Sequence, residues 1–208
     1  MANVDSPFGL KPIRHKSGAP YNGAARPYYV NYGTALFIGD PVIKVAGGSN
    51  TAALTVPGGG SFAIGTLPEI NKATAGDGNR ITGVIVSFSP LATDLTKVHN
   101  AASIERVANV CVDPDVVFEI QADGAIPAAS MGLNAILIYT HSGSTTTGLS
   151  GVELDTTGTA PSADASNQLL ILRAVNREDN DTTLTHAKVE VMINQHTENQ
   201  GTVGTLGI

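Results

Sequence analysis

Asp115-Val116-Val117-Phe118-Glu119-Ile120-Gln121 is the stretch that decides the fold class. Val116, Phe118 and Ile120 fall on one side of an extended chain and Glu119 and Gln121 on the other, a period of two that belongs to a strand. Ala187-Lys188-Val189-Glu190-Val191-Met192-Ile193-Asn194 repeats the pattern, with Val189, Val191 and Ile193 opposing Lys188 and Glu190. Both stretches predict strands with one apolar and one wet face, as antiparallel sheets have.

Outward from these two, short runs rich in Val, Ile, Leu and Phe alternate with clusters of Gly, Pro, Asn, Asp and Ser. They predict further strands at 35–38, 41–45, 62–66, 81–88, 103–112, 134–139 and 168–176. Residues 168–176 are apolar on both faces up to Arg173, which places them centrally, in a wide hairpin with 187–194 across the polar loop 177–186. Only 91–100 and 128–133 offer helical patterns, the second weakened by Pro127 and Gly132. Segments 47–60, 72–79 and 140–167 read as long loops. The expected fold is all-β, an antiparallel β-sandwich or barrel with an extended N-terminal arm and long loops.

Charge divides the 208 residues unevenly. The net charge is −6, yet residues 1–33 hold Lys11, Arg14, Lys16 and Arg26 against Asp5 alone, +3, leaving −9 elsewhere. Pro7, Pro12, Pro20 and Pro27 exclude a long helix there. Residues 1–33 therefore read as a basic, extended arm, 34–197 as a β-rich body with a long loop at 140–167, and 198–208 as a C-terminal tail. The arm either docks on a neighbouring molecule or folds onto its own acidic body. As a docking element its contact residues are Phe8, Leu10, Arg14, Tyr28 and Tyr29, which combine apolar anchors with a positive charge.

Composition excludes several classes. No Lys/Arg cluster marks a nucleic-acid binder, and no apolar run approaches the ~18–20 residues that span a bilayer, so neither nucleic acid nor membrane is expected as a partner. The first residues lack the pattern of a secretory signal, which predicts synthesis in a cytoplasm. Cys111 is the single cysteine, so there is no internal disulfide and no Cys-cluster zinc site, and its Val neighbours predict a core thiol.

The chemical motifs fail on their spacing. Gly143 to Gly148 is followed by Leu149 where a phosphate-binding loop needs Lys, and Gly148-Leu149-Ser150-Gly151 is one residue too short for a nucleophile elbow. His15, His99, His141, His186 and His196 show no paired ligand spacing, although folding can bring some together. Asp113-Pro114-Asp115 reads as a tight turn between strands. Glu178-Asp179-Asn180-Asp181 reads as a solvated loop, with a bound cation as the other possibility. No catalytic residue, metal ligand or cofactor is assigned, and the chain is expected not to be an enzyme.

Several segments resemble the small virion structural proteins of tailed bacteriophages: the opening residues 1–12, Tyr32-Gly33-Thr34-Ala35-Leu36-Phe37-Ile38-Gly39-Asp40-Pro41-Val42, Ile81-Thr82-Gly83-Val84-Ile85-Val86, and residues 112–121, 172–180 and 193–199. Within that group the chain most resembles the head cement, or decoration, proteins. The resemblance implies a β-rich protein, often a homotrimer at threefold or quasi-threefold positions. Such a protein clamps neighbouring major capsid protein subunits on the outer capsid surface of the virion, after synthesis in the host bacterial cytoplasm. Tail tube or head-completion structural subunits, and a host- or glycan-binding head fibre module, stay open as alternatives. Five Tyr, five Phe and no Trp give a sugar few stacking platforms.

Overall fold

A computed structural model describes residues 3–198 of the chain. Met1, Ala2 and, apart from Glu198, the 198–208 tail lie outside the described residues. The strands are β1 (Lys11–His15), β2 (Arg26–Val30), β3 (Pro41–Ser49), β4 (Leu54–Val56), β5 (Gly60–Phe62), β6 (Pro68–Lys72) and β7 (Gly83–Phe88) in the first half. β8 (Arg106–Cys111), β9 (Val116–Gln121), β10 (Asn134–Ala135), β11 (Leu137–Tyr139), β12 (Val152–Leu154), β13 (Leu169–Ala174) and β14 (Lys188–Ile193) follow. The fold is all-β. Of the two expected helices, 91–100 forms turns and 128–133 shrinks to one 3-10 turn, Ala128–Ser130.

Two five-stranded units make up the body. One is a sheet in the order β1-β9-β14-β13-β10, antiparallel throughout. The other is a closed barrel, β2-β6-β3-β7-β8, in which β6 inserts between β2 and β3 and runs parallel to β2. The expected wide hairpin is present: β13 pairs with β14, and Asn180 closes the intervening loop by donating to the carbonyls of Val175 and Lys188 and accepting from Lys188 N–H. Asp113 makes the turn from barrel to sheet, its carboxylate accepting from Asp115 N–H at 2.9 Å.

One hydrophobic core joins the two units. Phe118, Ile120, Ile171, Val189 and Val191 from the sheet pack with Leu10, Ile81, Val84 and Cys111 from the barrel side. Inside the barrel a second cluster holds Tyr28, Val30, Val42, Ile70, Ile85, Ala108 and Val110. The β4–β5 hairpin lays Leu54, Val56 and Phe62 over Tyr29, Leu67 and Val107 on the barrel's outer side.

Several expectations need correction. Residues 1–33 are not a separate arm: β1 is an edge strand of the sheet beside β9, and β2 is a barrel stave between β6 and β8. Of the two readings of this segment, the one folded onto its own body holds within this chain. Glu119 and Gln121 are 7% and 0% exposed, so their face is not wet; residues 3–6 and Arg177 cover it. The 140–167 loop contains β12, which pairs with β11 and was hidden by the Ser/Thr/Gly tracts around it.

Candidate functional site

The five proposed contact residues do not share a surface. Tyr28 and Tyr29 are neighbours on β2, so their side chains leave the strand on opposite sides, Tyr28 into the barrel and Tyr29 under the β4–β5 hairpin. Both are buried, as is Leu10 in the shared core. That corrects the assignment of these three as partner contacts: later parts of the chain cover both faces of β2 at the two tyrosines and enclose Leu10. Phe8 is half-buried and lines, with Pro12, Tyr21 and Ile38, a groove of about 740 Å³. Arg14 reaches across the sheet to Glu190.

The side chain of Arg14 reaches into a charged row that crosses four strands in register. Lys11 lies opposite Glu119, Glu119 opposite Glu190, and Glu190 opposite Arg173. Two like charges face each other at its centre, and cations relieve both: Arg177 is 2.8 Å from Glu119, and Arg14 and Arg173 both donate to Glu190. Burial pushes the Glu190 carboxyl up, and the hydrogen bonds from Arg173 and Arg14 outweigh it, holding the group below its ordinary range. A carboxyl whose folded pKa is depressed adds stability above its unfolded value, ~4.3 for Glu, and that stability is lost as pH falls through the folded value. Glu190→Gln is therefore expected to cost about 1 kcal/mol at pH 7, given the solvent screening at exposed Arg173. Urea midpoints of the two proteins are expected to draw together as the pH falls from about 4.3 through the depressed folded value of Glu190; a pH-independent gap between them contradicts the assignment.

Three loops meet beside the barrel and carry exposed apolar side chains. The first is the turn at 31–37, the second the connection 89–105 and the third the segment 141–150. Gly33 N–H donates to Ala102 C=O, Leu36 and Asn100 exchange backbone hydrogen bonds, and Ile38 N–H donates to Gly148 C=O. Arg106, only 6% exposed, braces the second loop by donating to the carbonyls of Ser89, His99 and Lys97. His99 stacks on Phe37 with ring centroids 5.0 Å apart. The braced loops hold Tyr32, Leu95 and Val98 at 60%, 78% and 40% exposure.

A buried polar junction ties this platform to the N-terminal segment. Asp40, fully buried, accepts from Ser150 Oγ at 2.5 Å and from Phe37 N–H at 2.8 Å, and Lys72 Nζ lies 3.4 Å away. Lys72 also sits 4.5 Å from the centre of the Tyr139 ring. Burial pushes the Asp40 carboxyl up; Lys72, Ser150 and the Phe37 N–H counter it only in part. Gly9 crosses this junction at φ +72°, where a Cβ would stand 2.5 Å from Gly39 O and 2.7 Å from Ser150 Cβ. Ser150 is thus a buried structural hydroxyl 1% exposed, in keeping with its failed nucleophile spacing.

Other titratable groups fall into place around these two features. Burial pushes the Cys111 thiol up, as expected of a core cysteine. In the acidic loop, Asp179 lies 3.2 Å from Arg177 and 3.7 Å from Lys188, and Asp181 accepts from Thr183. One set of donors suited to a metal does assemble: Asp5, Glu153 and His186, from three distant segments, with ligand atoms within 4.8 Å of one another. No spacing rule could have found it, because the three residues are joined only by the fold. No helix of the described residues is long and apolar enough to cross a membrane. No family model, no curated protein and no solved structure matches this chain.

Proposed function

We propose that this chain is a non-enzymatic head cement, or decoration, protein of a tailed bacteriophage, which binds the outer surface of the capsid and stabilises contacts between major capsid protein subunits. The observation that carries this reading is the resemblance of six sequence segments, spread from the N-terminus to residue 199, to small phage virion proteins. The all-β body is compatible with it.

The contact surface in this reading is the three-loop platform, together with the exposed residues 16–20 and 22–27 that carry Lys16 and Arg26. Leu95 and Val98 supply apolar anchors on a loop already braced by Arg106, and Tyr32 on a turn tied to that loop by backbone hydrogen bonds, so little ordering entropy is lost when a partner covers them. Homotrimer formation at threefold or quasi-threefold positions would multiply each weak contact by avidity.

Leu95→Glu tests the platform without touching the core, since Leu95 is 78% exposed. Purified variant and wild type are added to mature heads prepared without the protein, and bound protein is measured by sedimentation. The expected result is at least a tenfold loss of apparent affinity, about 1.4 kcal/mol, with thermal stability unchanged. Equal binding by both proteins removes the platform from the capsid interface, and failure of the wild type to bind heads removes the cement reading itself.

A further inference from the structure

We infer that Asp5, Glu153 and His186 form a binding site for a divalent first-row transition metal of the Zn²⁺ class, pinning the N-terminal segment to the body. The site is independent of any role on a particle. Asp5 comes from the segment ahead of β1, Glu153 from β12 and His186 from the loop ahead of β14.

Distances separate this cluster from a directly hydrogen-bonded one. His186 Nδ1 lies 3.6 Å from Asp5 Oδ1 and 4.0 Å from Glu153 Oε1, too far for the 2.7–3.2 Å of a direct hydrogen bond. A cation held tetrahedrally at 2.0–2.2 Å sets its ligand atoms about 3.3–3.6 Å apart, close to this spacing. His186 Nδ1 is a buried atom with no hydrogen-bond partner, turned towards two carboxylate oxygens. An unprotonated nitrogen in that position is repelled by its neighbours unless a cation lies between them.

The surroundings already orient the two carboxylates. Gln121, fully buried, donates through Nε2 to Asp5 Oδ1 at 3.1 Å and Glu153 Oε1 at 2.8 Å, while its Oε1 accepts from Ser6 N–H. Thr140 Oγ1 donates to the other oxygen of Glu153. These are the contacts that fix ligating carboxylates in metal sites. Asn3 holds the histidine loop, donating to the carbonyls of Asp181 and Thr185 and accepting from Asp181 N–H. His186 itself has φ +61°, alone among the described non-glycine residues in lying at positive φ, a conformation that directs its ring into the cluster. Asp5 is half exposed, so water can fill the fourth position. An imidazole nitrogen beside two carboxylates favours Zn²⁺ and related ions over Ca²⁺ or Mg²⁺, which prefer oxygen alone.

The test uses the full chain stripped with a chelator, titrated with ZnCl₂ by calorimetry and with Co²⁺ by visible absorption. Asp5→Asn alters an exposed ligand outside the core. His186→Asn keeps a residue that tolerates left-handed backbone. One Zn²⁺ per chain is expected, with affinity reduced at least tenfold in each variant and the Co²⁺ d–d bands lost in His186→Asn. Absence of saturable binding overturns the site, and so does binding that Asp5→Asn leaves unchanged, because the ion is then held elsewhere.

Discussion

Asp40→Ala is expected to destabilise the protein by about 3 kcal/mol, the lower end of the range for removing one partner of a buried ion pair. The substitution strips the acceptor from Phe37 N–H and Ser150 Oγ and leaves Lys72, only 20% exposed, beside an apolar hole. Lys72 keeps some access to water, which is why the upper end of the range is not expected. Asp40→Asn supplies the contrast. Its carbonyl oxygen can still accept from Phe37 N–H, and burial already disfavours the Asp40 charge, so it is expected to cost about 1 kcal/mol. Urea midpoints of both variants read the difference. Because Asp40 joins the turn at 37–40 to Ser150, Asp40→Ala is also expected to raise hydrogen exchange at residues 36–38 and 148–150; an alanine variant as stable as the asparagine one refutes the junction.

Phe118→Ala is expected to cost about 3–5 kcal/mol, a large share of the ~5–15 kcal/mol that holds a domain of this kind folded. Phe118 is 1% exposed at the centre of the core that the sheet and the barrel share. A cavity there removes contacts from both units at once. The two units are therefore expected to unfold together in wild type and variant alike, with hydrogen exchange at barrel amides such as those of β2 and at sheet amides such as those of β14 reporting the same opening free energy. Separate values in the wild type would show that the core does not couple them.

Period-two alternation made β9 and β14 legible, and apolar runs bounded by turn residues made β13, β7 and β8 legible along with the hairpin of β13 and β14, because each of these signals is local to its own strand. The same alternation misjudged the other face of β9. Whether Gln121 meets water depends on Asp5 and Ser6, more than a hundred residues earlier, and no local pattern encodes that cover. Tyr28 and Tyr29 failed for a related reason: aromatic residues in a proline-bounded basic segment look like anchors for a partner, and a barrel stave covered on both sides presents the same sequence. Residues 62–66 gave up their strand to Gly60–Phe62 because Thr66 N–H turns back to Ala63 C=O and Asn50 closes the bend. The platform had no sequence signal either. Its exposed Leu95 and Val98 lie in a stretch whose apolar spacing suggested a helix, and Arg106, which braces it, reads locally as an ordinary strand cation.

Cryo-electron microscopy of the purified virion, with icosahedral symmetry imposed on the head, tests the central claim most directly. The cement reading predicts copies on the outer shell at threefold or quasi-threefold positions, with Tyr32, Leu95 and Val98 turned towards the major capsid protein. Copies confined to the tail or the portal axis, or a head whose outer shell lacks the chain, would contradict it.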